Sequence, residues 1–145
     1  MSLEENKALI RRFYAECDAG NLAAIDELVS PDFVDHDPPP IPDLPGGREG
    51  LKAAFEIFWR STPGTHEVLD QVAERDLVVT RIRAQGRFDE DMGPIPATGG
   101  DMDVTATSVY RVNEGLITEH WGEVDSFSLM QQLGVVSMPD SQGGV

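Results

Sequence analysis

At about residue 64 the hydrophobic period of this chain switches from 3.6 to 2, and that switch constrains the fold more than any single motif. Upstream, Ser2 and Glu5 form an S-x-x-E capping box. Leu9, Ile10, Phe13, Tyr14 and Cys17 follow at helical spacing, and Gly20 is a natural stop. Asn21 reads as the cap of a second, shorter helix carrying Leu22, Ile25, Leu28 and Val29, which Ser30-Pro31 ends. The segment from Asp35 to Gly47 is crowded with proline and reads as a loop. Helical spacing then returns from Gly50 to Arg60, with Leu51, Ala54, Phe55, Phe58 and Trp59, until Pro63-Gly64 closes it.

Downstream the pattern is that of strands. Val68, Val72 and the run Leu77 to Ile82 flank a polar turn at Glu74-Arg75-Asp76, which predicts a hairpin. A loop rich in Gly and Pro spans Asp89 to Gly100. Two more strands, Val104 to Val112 and Leu116 to Val124, then surround Asn113-Glu114-Gly115, and Ser126 is placed to cap a short last helix. Helices first and antiparallel strands afterwards predict an α+β domain, not a parallel α/β sheet. Residues 1–134 form that single domain, and the tail 135–145 has little to bury and is expected to be mobile.

Charge and cysteine usage exclude several partners. Eleven basic against 26 acidic residues give a formal charge of −15, a surface that repels phosphate backbones and anionic lipid. No nucleic acid or membrane partner is therefore expected. No run approaches the ~20 apolar residues of a membrane span, and the charged N-terminus is unlike a signal peptide, so a cytoplasmic location is expected. The lone Cys17 excludes an internal disulfide. Neither zinc-ligand spacing nor a phosphate-binding glycine loop occurs, so neither a metal nor an organic cofactor is expected.

A series of phrases carries a family resemblance. They include Arg12-Phe13-Tyr14, Pro31-Asp32-Phe33-Val34-Asp35-His36-Asp37-Pro38, and Gly93-Pro94-Ile95-Pro96-Ala97-Thr98-Gly99. The most specific is Tyr110-Arg111-Val112-Asn113-Glu114-Gly115 running into Ile117-Thr118-Glu119-His120-Trp121-Gly122-Glu123-Val124-Asp125. In this order they resemble the SnoaL-like polyketide cyclases, the ester-cyclase branch of the NTF2-like superfamily. The resemblance implies a cone: a curved antiparallel sheet wrapped around the helices, with an internal pocket. It also implies ring closure of polyketide esters by intramolecular aldol condensation, with no cofactor. Two other readings stay open on the same fold, a non-catalytic protein that binds a small molecule and an epoxide hydrolase-like enzyme.

Candidate site residues follow from alternation and from the resemblance. Simple alternation puts Ile117, Glu119, Trp121, Glu123 and Asp125 on one face of the last strand, with His120 on the other unless a bulge near Gly122 intervenes. Charges sharing a face with tryptophan suggest a pocket wall. The family's acid/base aspartate matches Asp125, which alternatively only caps the last helix. His36 is the second catalytic candidate, to polarise a carbonyl or relay a proton, or else an ordinary loop histidine. Arg111 would neutralise an enolate, or serve as a surface ion-pair partner. Tyr14, Phe33, Phe55 and Trp59 supply aromatic area, some of it core and some of it lining a site for a small apolar or aromatic ligand. His66 reads as surface. A β-branched sheet face bearing Thr105, Thr107, Val109 and Val124, taken as opposite Trp121, predicts a homodimer.

Overall fold

The computed structural model describes residues 1–137, and residues 138–145 of the tail expected to be mobile lie outside them. Four helices, α1 (Leu3–Asp18), α2 (Ala23–Leu28), α3 (Gly47–Ser61) and α4 (Ser126–Gln132), accompany five strands. These are β1 (Val29–Asp35), β2 (Gly64–Glu74), β3 (Leu77–Arg87), β4 (Asp101–Asn113) and β5 (Leu116–Val124). They form one curved sheet in the order β1-β5-β4-β3-β2.

Local chemistry explains most element ends. The Ser2 hydroxyl accepts from the Glu5 N–H at 3.1 Å while the Glu5 carboxylate accepts from the Ser2 N–H, a complete capping box. Gly20 ends α1 at φ 84°. Both hairpin turns use left-handed residues, Arg75 in one and Glu114-Gly115 in the other. Asn21, by contrast, does not cap α2; its amide donates to Glu16, and Leu22 holds the cap position.

The sheet is mixed, not purely antiparallel. Ser30-Pro31 falls inside β1, which lies parallel to β5 with Val34 opposite Glu119 and Asp35 opposite His120. Because β1 is an edge strand, Pro31 sacrifices no ladder bond. A parallel partner brought in from residues 85 positions away carries no periodicity of its own over seven residues.

One face of the sheet packs on the helices. Ile10, Phe13 and Cys17 of α1, Ile25 of α2 and Phe55 of α3 meet Phe33, Val78, Ile82, Tyr110, Val112 and Ile117. Burial of Cys17 pushes its thiol up to about 12, so it is an inert core group. No helix among the described residues is long and apolar enough to cross a membrane.

Candidate functional site

A single extra residue decides what faces the core. Arg111 pairs with Glu119 but Val112 pairs with Ile117, so Thr118 is a bulge in β5, anchored by its hydroxyl on the Arg111 carbonyl at 3.3 Å. Ile117 therefore points inward and so, three residues on, does His120, whereas Glu119 and Trp121 turn outward. The parity read from the sequence is reversed beyond Thr118.

Inward-facing His120 lies among polar side chains from three strands. Its Nδ1–H donates to the Asp35 carboxylate at 2.8 Å, and its Nε2 accepts from the Ser108 hydroxyl at 3.1 Å. Asp35, held in turn by the Asp37 N–H at 3.0 Å, fixes this tautomer and orientation. Gly122 makes room for the ring: a Cβ there would lie 3.0 Å from two imidazole atoms. Asp35 and His120 side chains are 17% and 18% exposed, and both line a cavity.

Next to Ser108, the phenols of Tyr14 and Tyr110 are hydrogen-bonded to each other. The Tyr14 ring stacks on His66, 5.6 Å between centroids, and His66 Nδ1–H donates to Asp18 at 2.7 Å. His66 is thus a pocket residue; its reading as surface is corrected. A second carboxylate–imidazole pair consequently closes the far end of the same polar row.

These groups floor an inner cavity of about 130 Å³ whose apolar walls include Phe13, Phe33, Leu51 and Phe55. A larger cavity of about 430 Å³, under the proline-rich loop, shares Phe33, Asp35 and Leu51 with it. On another side, a lobe of about 140 Å³ shares Phe55 and His66 and is lined by Trp59. Trp59 also holds the Cys17 carbonyl through its indole N–H at 2.9 Å. Where the rim loops meet, Gly93 is required: a Cβ would sit 2.2 Å from the Pro40 carbonyl. No Lys or Arg lines any of the three cavities.

Of the residues singled out in the sequence, His120, Tyr14, Phe33 and Phe55 reach the inner cavity and Trp59 the adjoining one. His36, Glu119, Arg111 and Trp121 also come together, but on the outer face. His36 stacks on Trp121 at 4.7 Å and donates to Glu119 at 2.9 Å, while Arg111 bridges Glu119 and Asp76 at 2.8 Å each. The hydrogen bond from His36, then that from Arg111, holds the Glu119 carboxyl below its usual range. Arg111 is the ion-pair partner of a sheet surface, held between Asp76 and Glu119.

Asp125 is the N-cap of α4. It accepts from the Ser128 hydroxyl at 2.7 Å and backbone N–H at 3.1 Å, and those bonds hold its carboxyl below the ordinary value. It is exposed and lines neither the inner nor the proline-loop cavity, whereas His120 lines the inner one. Val109 faces the same side as Trp121, not the opposite one, since the two are directly paired across β4 and β5. Asp18, Asp35, His66, Ser108 and Tyr110 were missed as site residues. One signal for Asp35 was present, its alternation with inward-facing Phe33.

Burial raises the pKa of Tyr14 and raises that of Tyr110 well above ordinary phenol values, so both stay protonated donors. An unfolded chain ionises them near ~10. The stabilisation from keeping them neutral is complete below that pH and is lost as pH rises through the higher folded-state values. Urea midpoints should therefore hold steady up to pH ~10 and fall above it. Since these are the chain's two tyrosines, phenolate absorbance should appear only together with unfolding; phenolate forming near pH ~10 in the folded protein contradicts this.

A curved sheet closed by helices over an apolar pocket with a polar floor defines a pocket protein of the NTF2-like class. More narrowly, the chain belongs to the SnoaL-like polyketide cyclase family, whose model matches residues 8–133. Among solved structures, TsrD from Streptomyces laurentii is 26% identical, with 94% of this chain and 99% of that one covered at a TM-score of 0.83. IdmH, a candidate polyketide cyclase from Streptomyces antibioticus, is 33% identical over 90% of this chain and 99% of its own, with a TM-score of 0.76. A candidate polyketide cyclase from Bacillus cereus is 31% identical, covering 92% and 83%, at a TM-score of 0.75. No curated protein matches the sequence.

Proposed function

We propose that the protein is a cofactor-independent cyclase or isomerase in which the Asp35–His120 pair moves a proton on a small, uncharged, polyketide-like carbonyl compound. His120 Nε2 removes a proton from the carbon beside a carbonyl, and Asp35 stabilises the imidazolium that forms. Ser108 swings its hydroxyl from Nε2 towards the neighbouring phenols. The enolate oxygen accepts from Tyr110 or Tyr14. The carbanion attacks a second carbonyl carbon of the same molecule, and the new alkoxide takes the proton back from His120, so product and substrate are isomers. The outer cavity holds the remaining apolar or aromatic part of the substrate.

The single observation that carries this reading is the imidazole oriented by a carboxylate on the polar floor of an apolar-walled cavity. A protein that only bound an apolar ligand would need no such pair, and burying polar groups is costly. Family membership supports the same reaction class. The test is proton exchange: in deuterium oxide, the methyl protons of acetophenone, a neutral aryl ketone, should exchange faster with protein than in buffer alone. Exchange at the buffer rate overturns the proposal. Association of two copies through the outer sheet face around Trp121 and Val109 belongs to the same reading. A sedimentation mass of 15.9 kDa at micromolar concentrations contradicts that part.

A further inference from the structure

We propose that Ser108, His120 and Asp35 also form a nucleophile–base–orienter triad that takes up acyl groups from small uncharged esters and hydrolyses them. This activity is separate from carbon-proton transfer, although it uses the same imidazole. Three features of the site carry it.

The first is connectivity. Ser108 Oγ, His120 Nε2, His120 Nδ1 and Asp35 Oδ1 follow one another through hydrogen bonds of 3.1 and 2.8 Å. A triad is recognised by such geometry, whatever fold carries it. Here β4, β5 and β1 each contribute one member, side by side in the sheet, so strand pairing fixes their spacing. The second feature is close packing. Ser108 is directly opposite Gly122, and a Cβ on that glycine would lie 3.0 Å from Nε2 and 3.5 Å from the serine oxygen. The missing side chain thus lets the imidazole and the hydroxyl settle against the β5 backbone, where they meet each other.

Third, donors and charge suit an ester. The phenols of Tyr14 and Tyr110 border Ser108 and supply O–H donors for an oxyanion. The cavities offer no Lys or Arg to hold a free carboxylate, and Asp35 repels one. An uncharged ester is admitted, and its acid product is expelled.

The steps balance. Ser108 Oγ attacks the ester carbonyl carbon while its proton passes to His120 Nε2. The tetrahedral oxyanion collapses, the C–O bond to the alcohol breaks, and the alcohol leaves with the proton from His120. Water then attacks the acyl-serine, giving a proton to Nε2, and the serine oxygen leaves by taking that proton back. Ester and water become acid and alcohol.

The experiment uses the intact chain with phenylmethanesulfonyl fluoride, read by mass, and with p-nitrophenyl acetate, read as nitrophenolate. One sulfonyl group per chain should attach, and peptide mapping should place it on Ser108. Asp35→Asn, which keeps the serine but loses the orienting charge, should slow labelling at least ~10²-fold. Ser108→Ala should abolish it. Near-ultraviolet circular dichroism checks that both variants are folded. Should Ser108→Ala fail to fold, the peptide map and the Asp35→Asn rate decide alone. No adduct on folded protein, an adduct on another residue, or an undiminished Asp35→Asn rate overturns the triad. Labelling does not depend on ketone exchange, so loss of one result leaves the other reading standing.

Discussion

Replacing His120 with asparagine should slow acetophenone exchange by ~10²–10⁴-fold, the range a positioned acid/base group contributes. Asparagine keeps an N–H that can donate to Asp35, as the imidazole does at 2.8 Å. It carries no nitrogen that takes up a proton near neutral pH. Asp125→Asn is the informative companion. Its carboxylate caps α4 through Ser128, and asparagine caps about as well, so both exchange rate and stability should stay near those of the parent. If instead Asp125→Asn abolishes exchange and His120→Asn spares it, the assignment of the base is wrong.

Phe13→Ala should cost ~3–5 kcal/mol of folding stability, the usual range for removing a buried aromatic ring. Phe13 is 2% exposed and stands edge-on to Tyr14, Phe55 and Tyr110 at 5.4, 5.7 and 6.0 Å between ring centroids. Such contacts add to the loss from burial alone. Against a typical total of ~5–15 kcal/mol, the loss is large enough to unfold a marginal protein at moderate temperature. Phe13→Leu, which retains more of the volume, should lose clearly less. Urea unfolding measures both; an alanine variant within ~1 kcal/mol of the parent would show that Phe13 is not a keystone of the core. Because two of its neighbours are the phenols, the alanine variant should also begin to ionise them at lower pH.

The family resemblance brought the aromatic residues to the right region. Tyr14 and Phe55 lie on helical faces that the 3.6 period identifies, and both line the inner cavity. His36 was drawn to the pocket by chemistry alone and Glu119 by an alternation that the bulge at Thr118 reverses, whereas alternation across β1 sends Asp35 inward and His36 outward. His66 followed a Pro-Gly turn, which looks like surface in any sequence; it is a site residue because Asp18, 48 positions earlier, reaches its ring and its backbone N–H.

By itself the sequence determined what is written in nearest-neighbour chemistry. The capping box, the left-handed stops, the switch of period at residue 64 and the hairpin turns all depend on residues a few positions apart. They sufficed for helices followed by a largely antiparallel sheet. Tertiary structure decided which strands pair, that β1 joins in parallel, and that Thr118 is squeezed out of register. In a strand with period 2, one extra residue exchanges the two faces beyond it. Nothing near Thr118 in the sequence announces that shift; it is set by how β5 fits between β4 and β1. That fit, between residues as far apart as Asp35 and His120, is what places an imidazole in the pocket and a tryptophan outside it.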